Sequence, residues 1–365
     1  MMQESSLRSV EEDLLRRLIA VLIGLALLVT LLSGCGAGKP AAPDAAEPTP
    51  ADAGSPAEET TETCGHYVFQ PKVCSSIMTE VFGETMTETW FHLVDAVMAG
   101  EDTFACPDAY TYDWVMGQYP DRCFPVLPEL IDYTYDRANP VKDGVASFEY
   151  KVPKEEAAAR IEEFASLVEG ILNETLRDDY TDLEKALALY IYFAHNYVYD
   201  CESASPDIAP DYLSGYRVLT TGTGICQEFS VAYSYLLLQA GVDASVASGH
   251  RSCDGEPHQW SYVRINGNNY HIDPTYVIGD RDALSYFMMD DAQREAADGY
   301  SKDDFVICSH YSKEHPHPDY TADDDTFREI WNGYYAGFDH KTRTLQYETY
   351  DGVDPITKNF DYTGW

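Results

Sequence analysis

A two-residue turn signal fixes how two strands of this chain must pair. The segment HQWSYVRINGNNYHIDPTY contains Asn266-Gly267, the strongest short signal for a tight hairpin, between stretches with strand-like alternation. If these two residues form the loop, the register places His258 and Asp273 on one face of the sheet as diagonal neighbours. Diagonal Cβ atoms lie roughly 7 Å apart, a gap that one imidazole–carboxylate hydrogen bond can close. The hairpin therefore predicts a His258–Asp273 pair, with either a structural or a chemical role.

A helical pattern before the hairpin carries a cysteine in its first turn. The stretch TGTGICQEFSVAYSYLLLQAG begins at Thr221, and its apolar residues recur at helical spacing after a flexible lead. Thr221, Thr223 or Gly224 could cap this helix, and Gly241 ends it. Cys226 then lies where the helix dipole and unpaired N–H groups favour a thiolate. The alternative is a small buried core cysteine, which is how most free cysteines behave.

The order of the predicted elements indicates an α+β protein. Before the Cys226 helix the sequence predicts mainly helices, at 77–98, 154–176 and about 181–200, with one strand at 145–152. After it the pattern changes to strands, including the hairpin. Helices followed by a run of strands are typical of α+β folds. We therefore expect a helix-borne cysteine beside an antiparallel sheet that carries the histidine and the aspartate.

Composition divides the folded part of the chain into three regions. We assign residues 64–150 to an N-terminal helical and loop region, 151–290 to a core, and 291–365 to an acidic, Tyr-rich C-terminal extension. Within the first region, the segment bracketed by Cys106 and Cys123 predicts loops. The pattern of the C-terminal extension predicts no defined element.

The N-terminus has the pattern of a bacterial lipoprotein signal. Arg16 and Arg17 precede an uncharged run at 18–32, which as a helix of about 1.5 Å per residue would span only about 22 Å. That length is typical of a signal-peptide core. The following LSGC resembles a lipobox, so we expect residues 1–35 to be a signal peptide and Cys35 to carry lipid. A short signal anchor or an ordinary cleaved signal is the alternative.

The lipid would hold the mature chain on the extracytoplasmic face of the cell membrane. Residues 36–63 are mostly Ala, Pro, Glu, Thr and Gly, and they have almost no large apolar side chain with which to form a core. This composition predicts a disordered acidic tether that holds the folded part away from the membrane.

The charge of the chain excludes one class of partner. With 62 acidic and 24 basic residues, the net charge is −38. Such a surface repels nucleic acid phosphates and anionic lipid headgroups, so we expect no nucleic-acid partner and a membrane association that rests on the lipid anchor alone. The charge does not identify a substrate.

The cysteines other than Cys35 and Cys226 suggest disulfides outside the cytoplasm. The preferred pairs are Cys106 with Cys123 and Cys64 with Cys74, because each closes a local loop, although spacing alone does not fix connectivity. One further set of side chains has zinc-ligand chemistry, namely Cys308, His310, His315, His317 and Asp319. Two prolines and irregular spacing favour an exposed loop there, and we predict no metal.

Three motifs in order resemble the core of the transglutaminase-like superfamily. They are GICQEFSVAYSYLLLQAGV, HQWSYV and YHIDPTY, preceded by EKALALYIYFAHNYVYD, and the resemblance covers about 182–276. Members of this superfamily carry Cys, His and Asp in this order on a papain-like α+β fold. By position, the resemblance implies Cys226 as nucleophile, His258 as general base and Asp273 as the residue that orients the base, which makes 151–290 a catalytic core.

The resemblance implies a cysteine enzyme that attacks an amide carbonyl of a peptide or protein and forms a thioacyl intermediate, without cofactor or metal. Completion by water makes a peptidase or amidase, and completion by a lysine amine makes a cross-linking transglutaminase. We favour hydrolysis because nothing in the sequence marks an amine-binding site. A surface-binding module that keeps the fold without turnover is the alternative from another class. Oligomeric state is not indicated by the sequence.

Overall fold

The first part of the fold combines helices with a small antiparallel sheet. The computed structural model describes residues 65–204, 213–300, 305–307, 320–352 and 354–365, so the predictions for the signal peptide and tether fall outside it. The elements up to Tyr150 are α1 (Ser76–Phe82), α2 (Glu84–Met98), β1 (Thr103–Ala105), α3 (Ala109–Cys123), α4 (Leu127–Leu130), β2 (Ile131–Tyr133), β3 (Val141–Lys142) and β4 (Val145–Tyr150). Strand β4 pairs antiparallel with β1, β2 and β3, and it confirms the strand predicted there.

A glycine interrupts the helix predicted at 77–98. Gly83 has φ +95°, a conformation that a glycine adopts without steric cost. Its N–H donates to Thr79 O at 2.8 Å and closes α1, and the chain then turns into α2. The periodicity of apolar residues continues across this break, and for that reason the pattern suggested one helix where the structure has two.

The segment after Cys106 is mainly helical, so the prediction of loops there was wrong. The side chain of Asp108 accepts the N–H of Thr111 at 2.8 Å and caps α3. Tyr112, Val115 and Tyr119 follow at helical spacing, and all three are fully buried. Burial against the neighbouring helices outweighs the weak helix propensity of this Tyr-rich segment.

The helices predicted before and at Cys226 are confirmed. The elements of this part are α5 (Lys154–Thr175), α6 (Asp182–Asn196), β5 (Val198–Tyr199), α7 (Gly215–Thr221), β6 (Thr223–Gly224) and α8 (Cys226–Gln239). Helix α6 begins with a capping box, in which Thr181 N–H donates to Glu184 Oε2 at 2.7 Å and Glu184 N–H donates to Thr181 Oγ1 at 3.3 Å. Most residues of α8 are buried, so it forms the centre of the core.

An antiparallel sheet packs against α8 and confirms the predicted α+β class. Its strands are β7 (Asp243–His250), β8 (Pro257–Ile265), β9 (Asn268–Ile272) and β10 (Val306–Ile307), in the order β10-β7-β8-β9. Ile265 pairs with Asn268, which leaves Asn266 and Gly267 as the two-residue loop. Their φ angles are +52° and +82°, and the tight hairpin turn requires this sign at both positions.

The C-terminal extension contains a sheet that the sequence pattern did not predict. The elements after the hairpin are α9 (Pro274–Gly279), α10 (Asp291–Asp298), β11 (Tyr334–Asp339), β12 (Thr344–Asp351) and β13 (Asp354–Asp361), of which the last three form an antiparallel sheet. Arg343 and Tyr362 from this part bind the carboxylate of Glu184 at 2.5 and 3.0 Å. None of the helices in the described ranges is both long and apolar enough to span a bilayer.

The cysteines do not pair as the loop lengths suggested. The Sγ of Cys106 donates to Asp108 O at 3.3 Å, whereas that of Cys123 contacts Met78 Sδ at 3.7 Å. A hydrogen bond with Cys123 lowers the pKa of the Cys74 thiol. Cys106 and Cys123 therefore do not form the predicted disulfide, and Cys64 lies outside the described residues.

Candidate active site

The thiol of Cys226 lies at the first residue of α8, as predicted, but none of the predicted Thr and Gly caps starts the helix. Ile225 occupies the N-cap position and has no capping side chain. Its backbone N–H donates instead to Glu228 Oε2 at 3.0 Å, the contact that the acid of a capping box makes. Cys226 therefore follows a backbone segment that is fixed from within the helix.

A buried ion pair holds this helix start in place. Arg217 of α7 donates from Nε to Glu228 Oε1 at 2.6 Å and from Nη1 to Asp200 Oδ2 at 2.9 Å. The same Glu228 oxygen accepts the N–H of Ser214 at 3.0 Å. The side chains of Glu228 and Arg217 are 0% and 12% exposed. Removing one partner of a buried pair leaves the other uncompensated, so these contacts stabilise the segment that leads to Cys226.

A glutamine joins the first turn of α8 to the strand that carries the histidine. Gln259 Nε2 donates to Gln227 O at 3.2 Å and to Ser230 Oγ at 2.8 Å. Gln259 follows His258 on β8, and Gln227 follows Cys226 on α8. The residues that follow Cys226 and His258 are thus hydrogen-bonded to each other, and this bond fixes the distance between α8 and β8 at this point.

His258 and Asp273 form the contact that the hairpin register predicts. His258 Nε2 lies 2.7 Å from Asp273 Oδ2, and the two side chains are 8% and 0% exposed. Asp273 comes directly after β9 and is the N-cap of α9, where its Oδ1 accepts the N–H of Thr275 at 3.1 Å. The carboxylate of Asp273 therefore caps α9 with Oδ1 and contacts the imidazole of His258 with Oδ2.

The charges of the two groups stabilise each other inside the protein. Burial lowers the pKa of His258, but the charge and hydrogen bond of Asp273 and a hydrogen bond with Cys226 outweigh burial and raise it to about 9. Burial raises the pKa of Asp273, and its interactions with His258 and Arg294 outweigh burial and hold it below the usual range. At neutral pH the pair is therefore imidazolium and carboxylate, and the structure brings Cys226, His258 and Asp273 together.

Aromatic side chains surround the imidazole. The ring of His258 lies 5.4 Å from that of Tyr276, 5.6 Å from Tyr300 and 6.0 Å from Trp260, measured between centroids. On the side of the thiol, burial and the nearby sulfur of Cys226 raise the pKa of Tyr199. These rings limit access of water to the imidazole, a setting in which electrostatic interactions are stronger than in bulk solvent.

Sequence reasoning missed Arg294. This residue of α10 donates from Nη1 to Asp273 Oδ2 at 2.8 Å, and both side chains are fully buried. It lies beyond the core that the sequence analysis assigned to 151–290. A single arginine in a short segment rich in acidic residues matches no motif that would predict a role in the site. Glu228, in contrast, could have been found, because an acid three residues after a helix N-cap is the signature of a capping box.

The described residues contain no group of three or more His, Cys, Asp or Glu side chains arranged to hold a metal ion. The candidate zinc set at 308–319 lies outside the residues that the structure describes. The site offers a thiol, an imidazole and a carboxylate, with the imidazole between the other two. These three groups can transfer a proton and form a covalent bond from the sulfur.

Fold and geometry together define an α+β protein with a thiol–imidazole–carboxylate site. Residues 169–274 match the model of the transglutaminase-like superfamily, and the resemblance drawn from the sequence is thereby confirmed for this domain. The matched residues include Cys226, His258 and Asp273 and end before Arg294. No curated protein matches the sequence.

Three solved structures are similar to parts of the chain. One is described as a TGase, with 23% identity, 34% of each chain covered and a TM-score of 0.28. A candidate cysteine protease from Cytophaga hutchinsonii has 18% identity, with 33% of this chain and 35% of its own covered and a TM-score of 0.24. A candidate protease from Parabacteroides distasonis has 11% identity, 36% and 34% coverage and a TM-score of 0.24. The chain spans about a third of the length of each.

Proposed function

We propose that the protein is a cysteine enzyme that hydrolyses amide bonds of peptides or proteins through a thioacyl intermediate. Cys226 is the nucleophile, His258 the acid and base, and Asp273 the residue that orients the imidazole. The observation that carries the proposal is the contact of His258 with both Cys226 and Asp273, which favours the imidazolium although burial opposes it. The match of residues 169–274 to the transglutaminase-like superfamily supports the same reading.

In the proposed reaction His258 first gives a proton and later takes one back, and Cys226 first forms a bond to the acyl group and later releases it. The Cys226 thiolate attacks the carbonyl carbon, and the C–N bond breaks as the His258 imidazolium gives its proton to the departing amine. The acyl group then remains on sulfur as a thioester. Water attacks this thioester, gives a proton to the neutral imidazole and displaces the thiolate, so the carboxylic acid leaves and the starting state returns.

The backbone N–H of Cys226 contributes to binding the developing oxyanion. The first N–H groups of a helix have no intrahelical acceptor, and Cys226 is the first residue of α8. A donor placed where negative charge develops stabilises the transition state more than the ground state. The fixed helix start formed by Glu228 and Arg217 keeps this donor and the sulfur in a constant relation.

An unbiased peptide library, incubated with and without an added primary amine, tests the reaction type. We expect new peptide carboxyl termini in both mixtures, because water completes the reaction, and none with Cys226→Ala. Amine adducts on glutamine side chains in place of cleavage would make the protein a cross-linking transglutaminase. Absence of product from both mixtures would favour a surface-binding module that keeps the fold.

We further propose that lipid on Cys35 anchors the chain to the extracytoplasmic face of the cell membrane, because the short apolar run and LSGC have the lipoprotein pattern. Cys35→Ala is expected to move the protein from the membrane fraction to the medium. Cys64→Ala is the matched control, since Cys64 follows no such motif, and it should stay in the membrane fraction. Intact-mass analysis that finds an unmodified N-terminus upstream of Cys35 would contradict the anchor.

A further inference from the structure

One oxygen of Asp273 is shared by two cationic groups. Oδ2 lies 2.7 Å from His258 Nε2 and 2.8 Å from Arg294 Nη1. The side chains of Asp273 and Arg294 are both 0% exposed, so water does not screen this contact. Arg294 therefore acts directly on the carboxylate that orients the imidazole, although it lies outside the residues that match the transglutaminase-like superfamily.

Aromatic rings hold the guanidinium in a defined plane. Arg294 Cζ lies 4.5 Å from the ring centroid of Trp260 and 4.6 Å from that of Tyr300. These distances are typical of cation–π contacts, which are strongest where water is excluded. The same two rings flank His258. The aromatic side chains thus fix the arginine and the imidazole with respect to each other.

A second contact ties the helix of Arg294 to the sheet. His271 of β9 lies between Trp260 Nε1, which donates to its Nδ1 at 2.8 Å, and Asp291 Oδ1, which is 2.9 Å from its Nε2. Burial lowers the pKa of His271, so it stays neutral at physiological pH and donates from Nε2 to Asp291. Asp291 is the first residue of α10, and this contact sets the position from which Arg294 reaches Asp273.

The charges at the site balance only when Arg294 is included. The Asp273 carboxylate faces two cations, the His258 imidazolium and the Arg294 guanidinium, so negative charge that develops on the sulfur of Cys226 during attack is balanced. Other ionisable groups close to this set do not replace the arginine. Burial raises the pKa of Tyr190 and raises that of Tyr300 to about 12, so both stay neutral. Further ionisable neighbours are Tyr199, Glu256, Tyr276, His271, Asp290, Asp291 and Arg251.

We propose that Arg294 is a positioning residue of the site, which fixes Asp273 against His258 and supplies a positive charge that offsets the negative charge developing on the sulfur of Cys226. This inference rests on the proposed function for the role of the ion pair. Without Arg294 the site has one positive charge fewer, so negative charge on the sulfur of Cys226 is less well balanced. The expected consequence is that Cys226 becomes reactive only at higher pH.

The pH profile of Cys226 alkylation by iodoacetamide, followed by peptide mapping between about pH 5 and 9, measures this without any substrate. We expect Arg294→Met to move the acid limb of the profile up by about half a pH unit or more, and to lower the rate at pH 6 roughly threefold or more. Arg264→Met is the matched control, because Arg264 also lies in an ion pair, with Glu80, but does not touch Asp273. An unshifted profile in folded Arg294→Met would overturn the inference.

Arg294→Lys separates charge from geometry and keeps the test open if Arg294→Met does not fold. Lysine retains the charge but lacks the flat fork that lies between the rings. We expect its alkylation profile to stay close to that of the wild type while peptide turnover falls about tenfold or more, since Asp273 is then held less well. Full turnover in Arg294→Lys would contradict a positioning role. A wild type that alkylates normally but cleaves no peptide would overturn the proposed function and leave the effect of Arg294 on the profile measurable.

Discussion

Replacement of Cys226 by alanine is expected to lower the rate constant for amide cleavage by about 10⁶-fold, which is the order of loss when the nucleophile of such a triad is removed. The reason is that the acyl intermediate forms on the sulfur of Cys226, which alanine lacks. Turnover of the peptides found in the library measures the loss. Cys253→Ala is the matched control, because Cys253 is an exposed free thiol on the turn between β7 and β8, and it should keep full activity.

Alkylation provides an independent check on the same residue. At about pH 6, well below the free cysteine pKa of roughly 8.5, substoichiometric iodoacetamide should label Cys226 before the exposed thiols of Cys201 and Cys253. His258→Ala should abolish this preference, because the imidazolium that stabilises the thiolate is gone. Equal labelling of the three cysteines in the folded wild type would make Cys226 a core residue and would favour the surface-binding module.

Asp273→Asn is expected to lower turnover by about 10⁴-fold, the cost of the same change in a serine-protease triad. Asparagine can still cap α9, but it carries no charge to oppose the burial of His258. The pKa of His258 should then fall, because burial is the largest contribution to it and lowers it. The imidazolium that protonates the departing amine would no longer be the main form at neutral pH.

Because Arg294 is the buried partner of Asp273, a double variant can separate the loss of turnover in Asp273→Asn from its loss of stability. Asp273→Asn leaves the buried guanidinium of Arg294 without its carboxylate, and breaking such a pair costs about 3–5 kcal/mol. A double variant, Asp273→Asn with Arg294→Met, should recover part of the free energy of unfolding in urea but none of the turnover. Wild-type turnover in Asp273→Asn would remove this residue from the mechanism, and recovery of turnover in the double variant would assign the loss to folding alone.

Local signals were sufficient where the chain itself determines the geometry. The two-residue loop at Asn266-Gly267 sets the register of the hairpin, and that register places His258 and Asp273 as diagonal neighbours. The start of α8 at Cys226 follows from the change from Thr and Gly to a helical apolar pattern. In both cases the residues that determine the structure lie within about one helical turn or one hairpin of the residues that they position.

The features that the sequence did not reveal depend on partners far away in the chain. Tyr112 and Tyr119 make α3 a helix because both are fully buried among residues from other elements, and the segment by itself has no strong helical preference. Arg294 reaches Asp273 because His271 holds the start of its helix, a contact that no spacing rule contains. The Cys106–Cys123 prediction was wrong for a related reason, since sequence proximity was used in place of spatial proximity.

The position of α10 determines how long a segment of the chain must be to contain the whole proposed site. The match to the transglutaminase-like superfamily ends at residue 274, whereas the arginine that shares Asp273 with the imidazole comes 20 residues later. A recombination event that joined the matched domain to a foreign C-terminal segment would keep every residue of the triad and lose the cation behind it. On the proposed role of Arg294, the segment that must be transferred intact extends to α10 and is longer than the matched residues 169–274.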